Sequence, residues 1–154
     1  PIDLLKEELE AQGFEVEIHE SPMDKIANLP PEEQMKSIMN AYAAKRPIKE
    51  LTDKYDLIIN VANVKMGEVV QRMTWNALKG TPDIPFYVHE VPTIFVSVNY
   101  PFHLADVPQV KTYINAYDGN KGTIEVLVEK MMGKSPFKGQ DPVDSYCGLI
   151  DTRI

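Results

Sequence analysis

Pro92-Thr93-Ile94-Phe95-Val96-Ser97-Val98, followed without a break by Asn99-Tyr100-Pro101-Phe102-His103-Leu104, is the stretch on which the fold turns. Its first seven residues form a short, almost wholly apolar run rich in β-branched side chains. A strand with one wet face would alternate; this one reads as covered on both sides. Asp56-Leu57-Ile58-Ile59-Asn60-Val61 has the same character. Two doubly covered strands predict a mainly parallel, helix-flanked sheet, that is, an α/β fold in three layers.

Working outward, Ile2, Leu4, Leu5 and Leu9 followed by Gly13 predict an amphipathic helix with its stop signal. Phe14-Glu15-Val16-Glu17-Ile18-His19 alternates strictly and is expected to be a strand with one wet face, ended by Ser21-Pro22. From Pro31, with Glu32 and Glu33 where the helix dipole favours acids, the spacing of Met35, Ile38, Met39 and Tyr42 predicts a helix that stops before Pro47. Ile48 to Tyr55 reads as a third helix, Val110 to Ala116 as a further strand, and Val69 to Trp75 as a less regular one. Ile124, Leu127, Val128 and Met131, with Gly133 beyond them, place a closing helix over Thr123 to Met132. Residues 134–154 have no period. They form an irregular tail whose Phe137, Val143, Tyr146, Leu149 and Ile150 are expected to pack on this sheet or on a neighbour.

At 154 residues, with 44% hydrophobic and 25% charged, the chain fits a single domain, 1–154, able to bury a substantial core. It opens on Pro1 and runs straight into an amphipathic segment, as expected of a chain entered partway. No eighteen-residue apolar run exists, so no membrane span is expected, and the compartment stays open. With a formal charge of −7 and scattered basic residues, nucleic acid is a poor partner. The single cysteine, Cys147, excludes an internal disulfide and a C-x-x-C redox pair.

The usual chemical signatures are missing. His19, His89 and His103 have no second histidine at ligand spacing, so no metal site is expected. There is no G-x-S-x-G elbow, Walker loop or G-x-G-x-x-G turn, hence no expectation of a serine nucleophile or of a nucleotide or other cofactor.

Position supplies what motifs do not, because ligands of open α/β sheets are met by loops at the carboxyl ends of the strands. Asn99-Tyr100-Pro101-Phe102-His103-Leu104 and Tyr117-Asp118-Gly119-Asn120 are two such loops. An aromatic ring beside amide and carboxylate groups is a common way to hold a sugar, which makes Asn99, Tyr100, His103 and Asp118 candidates to line a substrate cleft. The structural alternative packs Tyr100 and Phe102 on helices, uses Asp106 to cap a turn, and leaves Gly119 and Asn120 as a turn.

The run Val91 to Leu104, then Asp106-Val107-Pro108 and Lys111-Thr112-Tyr113-Ile114-Asn115-Ala116-Tyr117, resembles the C-terminal α/β-sandwich domain of family 3 glycoside hydrolases, in particular the bacterial β-N-acetylhexosaminidase-like branch. Gly133, Pro136-Phe137-Lys138-Gly139 and Pro142-Val143 match the last elements of that pattern. The resemblance covers the second half of the chain by motif and the first half by element order, and Ala62 to Tyr87 reads as an insertion. It implies a flavodoxin-like sheet and an upstream (β/α)8 barrel, absent from this sequence, that carries the aspartate nucleophile and most sugar contacts. In the β-glucosidase branch the second domain supplies an acid/base glutamate; in the hexosaminidase-like branch a barrel histidine does so. No glutamate here sits in a matching motif, so no catalytic residue is carried over.

The expectation that follows is the accessory half of a retaining, exo-acting hexosaminidase. It would be inactive alone, with a barrel-facing apolar surface that could also pair two copies. A free-standing flavodoxin-like binding module is the alternative; an independent enzyme using Tyr100, His103 and Asp118 is the third.

Overall fold

The structure, a computed structural model, describes residues 1–43, 48–64, 85–107 and 109–148. Its elements in chain order are α1 (Ile2–Ala11), α2 (Pro22–Ala27), α3 (Pro31–Ala43), α4 (Ile48–Thr52), β1 (Ile58–Ala62), β2 (Thr93–Ser97), β3 (Thr112–Asn115) and α5 (Lys121–Met131), with a 3-10 turn at His103–Asp106. The expected strand at Val69 to Trp75 lies outside the described residues, as does most of the insertion-like stretch. Two compact units emerge: Pro1–Ile18 with Ile59–Met73 and Ile94–Ile154, and His19–Ile58 with Thr74–Thr93.

The first unit is built on the sheet. Its order is β1-β2-β3, so β2 is central, and the three strands are parallel in one open sheet with flanking helices, an α/β sandwich. Ile94 pairs with Thr112, Phe95 with Tyr113, Val96 with Ile114 and Ser97 with Asn115. Two hydrogen bonds carry the ladders one step further: Val98 N donates to Ala62 O at 2.9 Å and Ala116 N to Ser97 O at 2.8 Å.

Side-chain alternation in this register sorts the residues by face. Ile94 and Val96 from β2, with Val98 just beyond it, join Ile59 and Val61 from β1, Ile114 from β3 and Ala116 just beyond that strand. Leu5 and Leu9 of α1 and Ile124, Leu127 and Val128 of α5 close over them, and the two helices also pack on each other. On the opposite face Phe95 stacks on Tyr113, with ring centroids 5.6 Å apart. Phe95, Ser97, Val107 and the imidazole of His103 are all fully buried. Both faces of β2 are therefore covered, which is why its sequence does not alternate.

Local chemistry fixes the ends of α5. Asn120 accepts from Thr123 N at 2.9 Å as N-cap, so the helix begins two residues before the expected Thr123. Gly133 follows it at φ 71, in the left-handed region that glycine enters without strain.

The second unit holds α2, α3 and α4. Leu51, Tyr87 and Val91 form its core with Ile48, Tyr55, Ile58 and Phe86 packed around them, while α2 rests on α3. The helix predicted from Ile48 to Tyr55 is regular only to Thr52. α2 was not expected. Ser21 O receives Asp24 N and Lys25 N, so Ser21-Pro22 starts a helix with proline in its first turn rather than merely ending a strand.

One expectation is corrected outright. Phe14 to His19 has no regular secondary structure. Only Val16 packs against the core, whereas Phe14 and Ile18 remain 45% and 38% exposed. Alternation there records a single inward contact, not a place in a ladder.

Two substitutions test this packing. Phe95→Ala should lower unfolding free energy by about 3–5 kcal/mol, the usual range for emptying a buried aromatic site. Asn120→Ala should cost about 1 kcal/mol through loss of the cap. Both are read from urea unfolding midpoints; a Phe95→Ala midpoint equal to that of the parent would contradict the burial of β2.

Candidate functional site: the carboxyl rim of the sheet

Because β1, β2 and β3 are parallel, the segments that leave them emerge at one rim. Asn63 follows β1, Asn99 and Tyr100 follow β2, and Tyr117 and Asp118 follow β3. The amide of Asn99 donates to the side-chain oxygen of Asn63, tying the first two exits together.

The β2 exit is rigid. Ser97 Oγ donates to Tyr100 O at 2.5 Å, folding the chain back over the strand end. Tyr100 lies 5.3 Å from the Phe102 ring and 5.0 Å from the His103 ring. His103 is wholly buried, with Nδ1 3.2 Å from Asp106 Oδ2 and Nε2 lacking a hydrogen-bond partner among the described residues. Of the candidate residues on this loop, Asn99 and Tyr100 are half-buried at the rim, while His103 supports the loop from beneath.

The β3 exit is held by a second set of bonds. Tyr117 adopts φ 62, outside the range comfortable for a residue with a side chain, and its ring is 44% exposed. Asp118 Oδ1 accepts Asn120 N at 3.0 Å, and its other oxygen receives the Asn120 side-chain amide. Exposed Asp118 thus shapes the turn that starts α5.

The part of the rim that the sequence did not disclose comes from the tail. Asp141 Oδ1 accepts from Tyr117 OH at 2.5 Å and Asp141 Oδ2 from Asn115 Nδ2 at 2.7 Å. Asn115 in turn accepts from Tyr113 OH at 3.0 Å and donates to Pro101 O at 3.3 Å. Ser145 Oγ reaches Pro101 O at 3.4 Å and Tyr146 OH reaches Leu104 O at 3.1 Å. An aspartate before a proline reads in sequence as an ordinary turn; nothing local announces its partners on β3 and beyond.

Burial is the main cause that pushes the Tyr113 phenol up to about 12, with the carboxylates of Asp141 and Asp106 adding to it. Tyr117 is raised further, again chiefly by burial and then by its bond to Asp141 and that group's charge. The rim therefore combines half-exposed phenol rings, primary amides and carboxylates, groups suited to neutral hydroxyl-bearing ligands. Among the described residues no cluster of three or more His, Cys, Asp or Glu could hold a metal ion, and no helix is long and apolar enough to cross a membrane.

The same chain segment recurs in known enzymes. It is 41% identical over 110 residues, 70% of its length, to a beta-N-acetylglucosaminidase/beta-glucosidase of Cellulomonas fimi. Two solved structures of beta-glucoside phosphorylase BglX, one bound to 2FGlc, match at 42% and 43% identity over 69% and 71% of the chain, each with a TM-score of 0.60. These similarities fit a C-terminal fragment of a family 3 glycoside hydrolase. It spans about a fifth of the length of the relatives it matches. No protein-family profile matches it. The expected resemblance is thereby borne out.

Tyrosine ionisation checks the rim electrostatics. A phenol whose pKa is raised in the fold contributes stability that is complete below pH 10, where folded and unfolded phenols are both protonated, and is lost as pH rises through the folded value. Tyr113 and Tyr117 should both ionise above the ordinary phenol range, with Tyr113 near pH 12. A spectrophotometric titration of Tyr113→Phe should lack one late component; loss of a component at pH 10 instead would contradict the assignment.

Proposed function

We propose that this chain is the C-terminal module of a larger glycosidase acting on β-N-acetylhexosaminides or β-glucosides, and that its carboxyl rim forms one edge of the sugar site. The carrying observation is the match of 70% of the chain to only 19% of a beta-N-acetylglucosaminidase/beta-glucosidase. Most of such an enzyme is other polypeptide, and the module's own chemistry agrees with an accessory part. Its rim offers stacking surface and hydrogen-bonding groups through Asn99, Tyr100, Tyr117 and Asp118, while its fully buried His103 is withheld from any ligand.

The nucleophile and acid/base belong to the upstream barrel in this reading, and the module alone is inactive. Exposed apolar side chains support the idea that further polypeptide covers part of the surface. Met35 and Met39, one turn apart on α3, are 66% and 62% exposed. Pairing of two copies through such a surface is the competing use.

The names of the solved relatives raise a second reading for the acceptor. Both are named as phosphorylases, a class in which phosphate rather than water takes the glycosyl group. The rim carries carboxylates, which disfavour a nearby phosphate. A phosphate site would therefore lie in the remaining polypeptide, with this edge serving the sugar in both cases.

The test compares this chain with the longest polypeptide its coding region supports, on p-nitrophenyl β-N-acetylglucosaminide and p-nitrophenyl β-glucoside, with and without phosphate. The longer protein should turn over at least one substrate and the 154-residue chain neither; phosphate dependence distinguishes phosphorolysis from hydrolysis. Turnover by the short chain, or none by a barrel-containing protein, would refute the proposal.

A further inference from the structure

The tail's bonding pattern has one centre, the carboxylate of Asp141. It takes Tyr117 OH from the β3 exit, Asn115 Nδ2 from the end of β3, and Val143 N at 3.1 Å from its own turn. These donors come from two segments more than twenty residues apart, so the group fastens rather than caps. Beyond it the tail is braced by Asp144, whose oxygens accept Tyr146 N at 2.9 Å and Gly148 N at 2.5 Å. That bracing presents Ser145 and Tyr146 to the carbonyls of Pro101 and Leu104 in the loop after β2.

Tyr117 gives the arrangement its consequence. A side-chain-bearing residue at φ 62 is held against its backbone preference, and such strain persists only where surrounding bonds over-determine it. Its phenol bond to Asp141 is a direct restraint on this ring.

We propose that Asp141 is a positioning residue for the rim: its carboxylate fastens the tail across the β2 and β3 exits and fixes the half-exposed Tyr117 ring and the Asn115 amide in the orientation a sugar meets. The fastening stands on the hydrogen bonds alone. Its service to a sugar rests on the function proposed above, and the experiment separates the two.

Amide exchange on the 154-residue chain reads the fastening. Bonds to a charged acceptor are strong enough that Asp141→Ala should speed exchange at Val143 to Gly148 by at least about tenfold while leaving β2 and α5 unchanged. Asp141→Asn keeps an acceptor oxygen for the Asn115 amide but removes the charge, and should speed tail exchange by less than Asp141→Ala does. Tyr117→Phe, which removes one donor from a partly exposed ring, is the milder variant and should speed tail exchange by a smaller factor.

Tail exchange within about twofold of the parent in Asp141→Ala and Tyr117→Phe would overturn the fastening, since removing charge-assisted bonds must show more than this. Titration with methyl N-acetyl-β-glucosaminide reads the positioning. Shifts of the Tyr117 ring in the parent that are lost in Asp141→Ala support it, and equal shifts in both overturn it while sparing the sugar edge. No shifts in the parent would remove the sugar edge together with the positioning role, even if exchange upholds the fastening.

Discussion

The structure of the sheet-bearing unit depends on the double burial of β2. Its backbone is paired on both edges, to β1 and to β3, and its side chains are covered on both faces, with Val96 and Val98 fully inaccessible. A strand in that position has no freedom of register, because a slip of one residue would exchange Val96 and Val98 for Phe95 and Ser97 across the sheet. The apolar cluster with α1 and α5 on one side and the Phe95–Tyr113 stack on the other both follow from this register.

Parallel pairing then does for function what burial does for stability. Three consecutive exits leave at one rim: the first two are tied by Asn63 with Asn99, the second is folded back on itself by Ser97 with Tyr100, and the third is held to the tail by Tyr117 with Asp141. The rim is thus preorganised by neighbours distant in sequence, as a recognition edge requires if binding is not to be spent on ordering loops. On the proposed reading its groups meet sugar hydroxyls while the apparatus for bond cleavage lies elsewhere, in keeping with a chain that matches about a fifth of the length of its enzyme relatives.

What could be read from sequence follows from how each element is stabilised. The β2 run was legible because burial on both faces leaves a continuous apolar stretch, and α5 because its inward stripe and Gly133 are local signals; β1 carries the same apolar character but is only partly buried. Phe14 to Ile18 misled for the converse reason: alternation says that one side faces inward, not that a hydrogen-bonding neighbour exists. α2 escaped because Ser21-Pro22 carries both meanings, strand end and helix start, and only the carbonyl of Ser21 receiving the next turn decides between them. The rim was half legible. Asn99, Tyr100 and Asp118 follow from the rule that strand ends carry sites, whereas Asp141 is defined by contacts 24 and 26 residues away that no periodicity encodes.

The most direct test of this account is the measurement of nitrogen-to-carbonyl couplings across the hydrogen bonds of the sheet in isotopically labelled protein. Couplings are expected from Val98 N to the carbonyl of Ala62 and from Ala116 N to that of Ser97, the two bonds that carry parallel ladders to the rim. Couplings that instead pair β2 antiparallel with either neighbour, or none at these positions in the folded protein, would send the exits to different edges and contradict it.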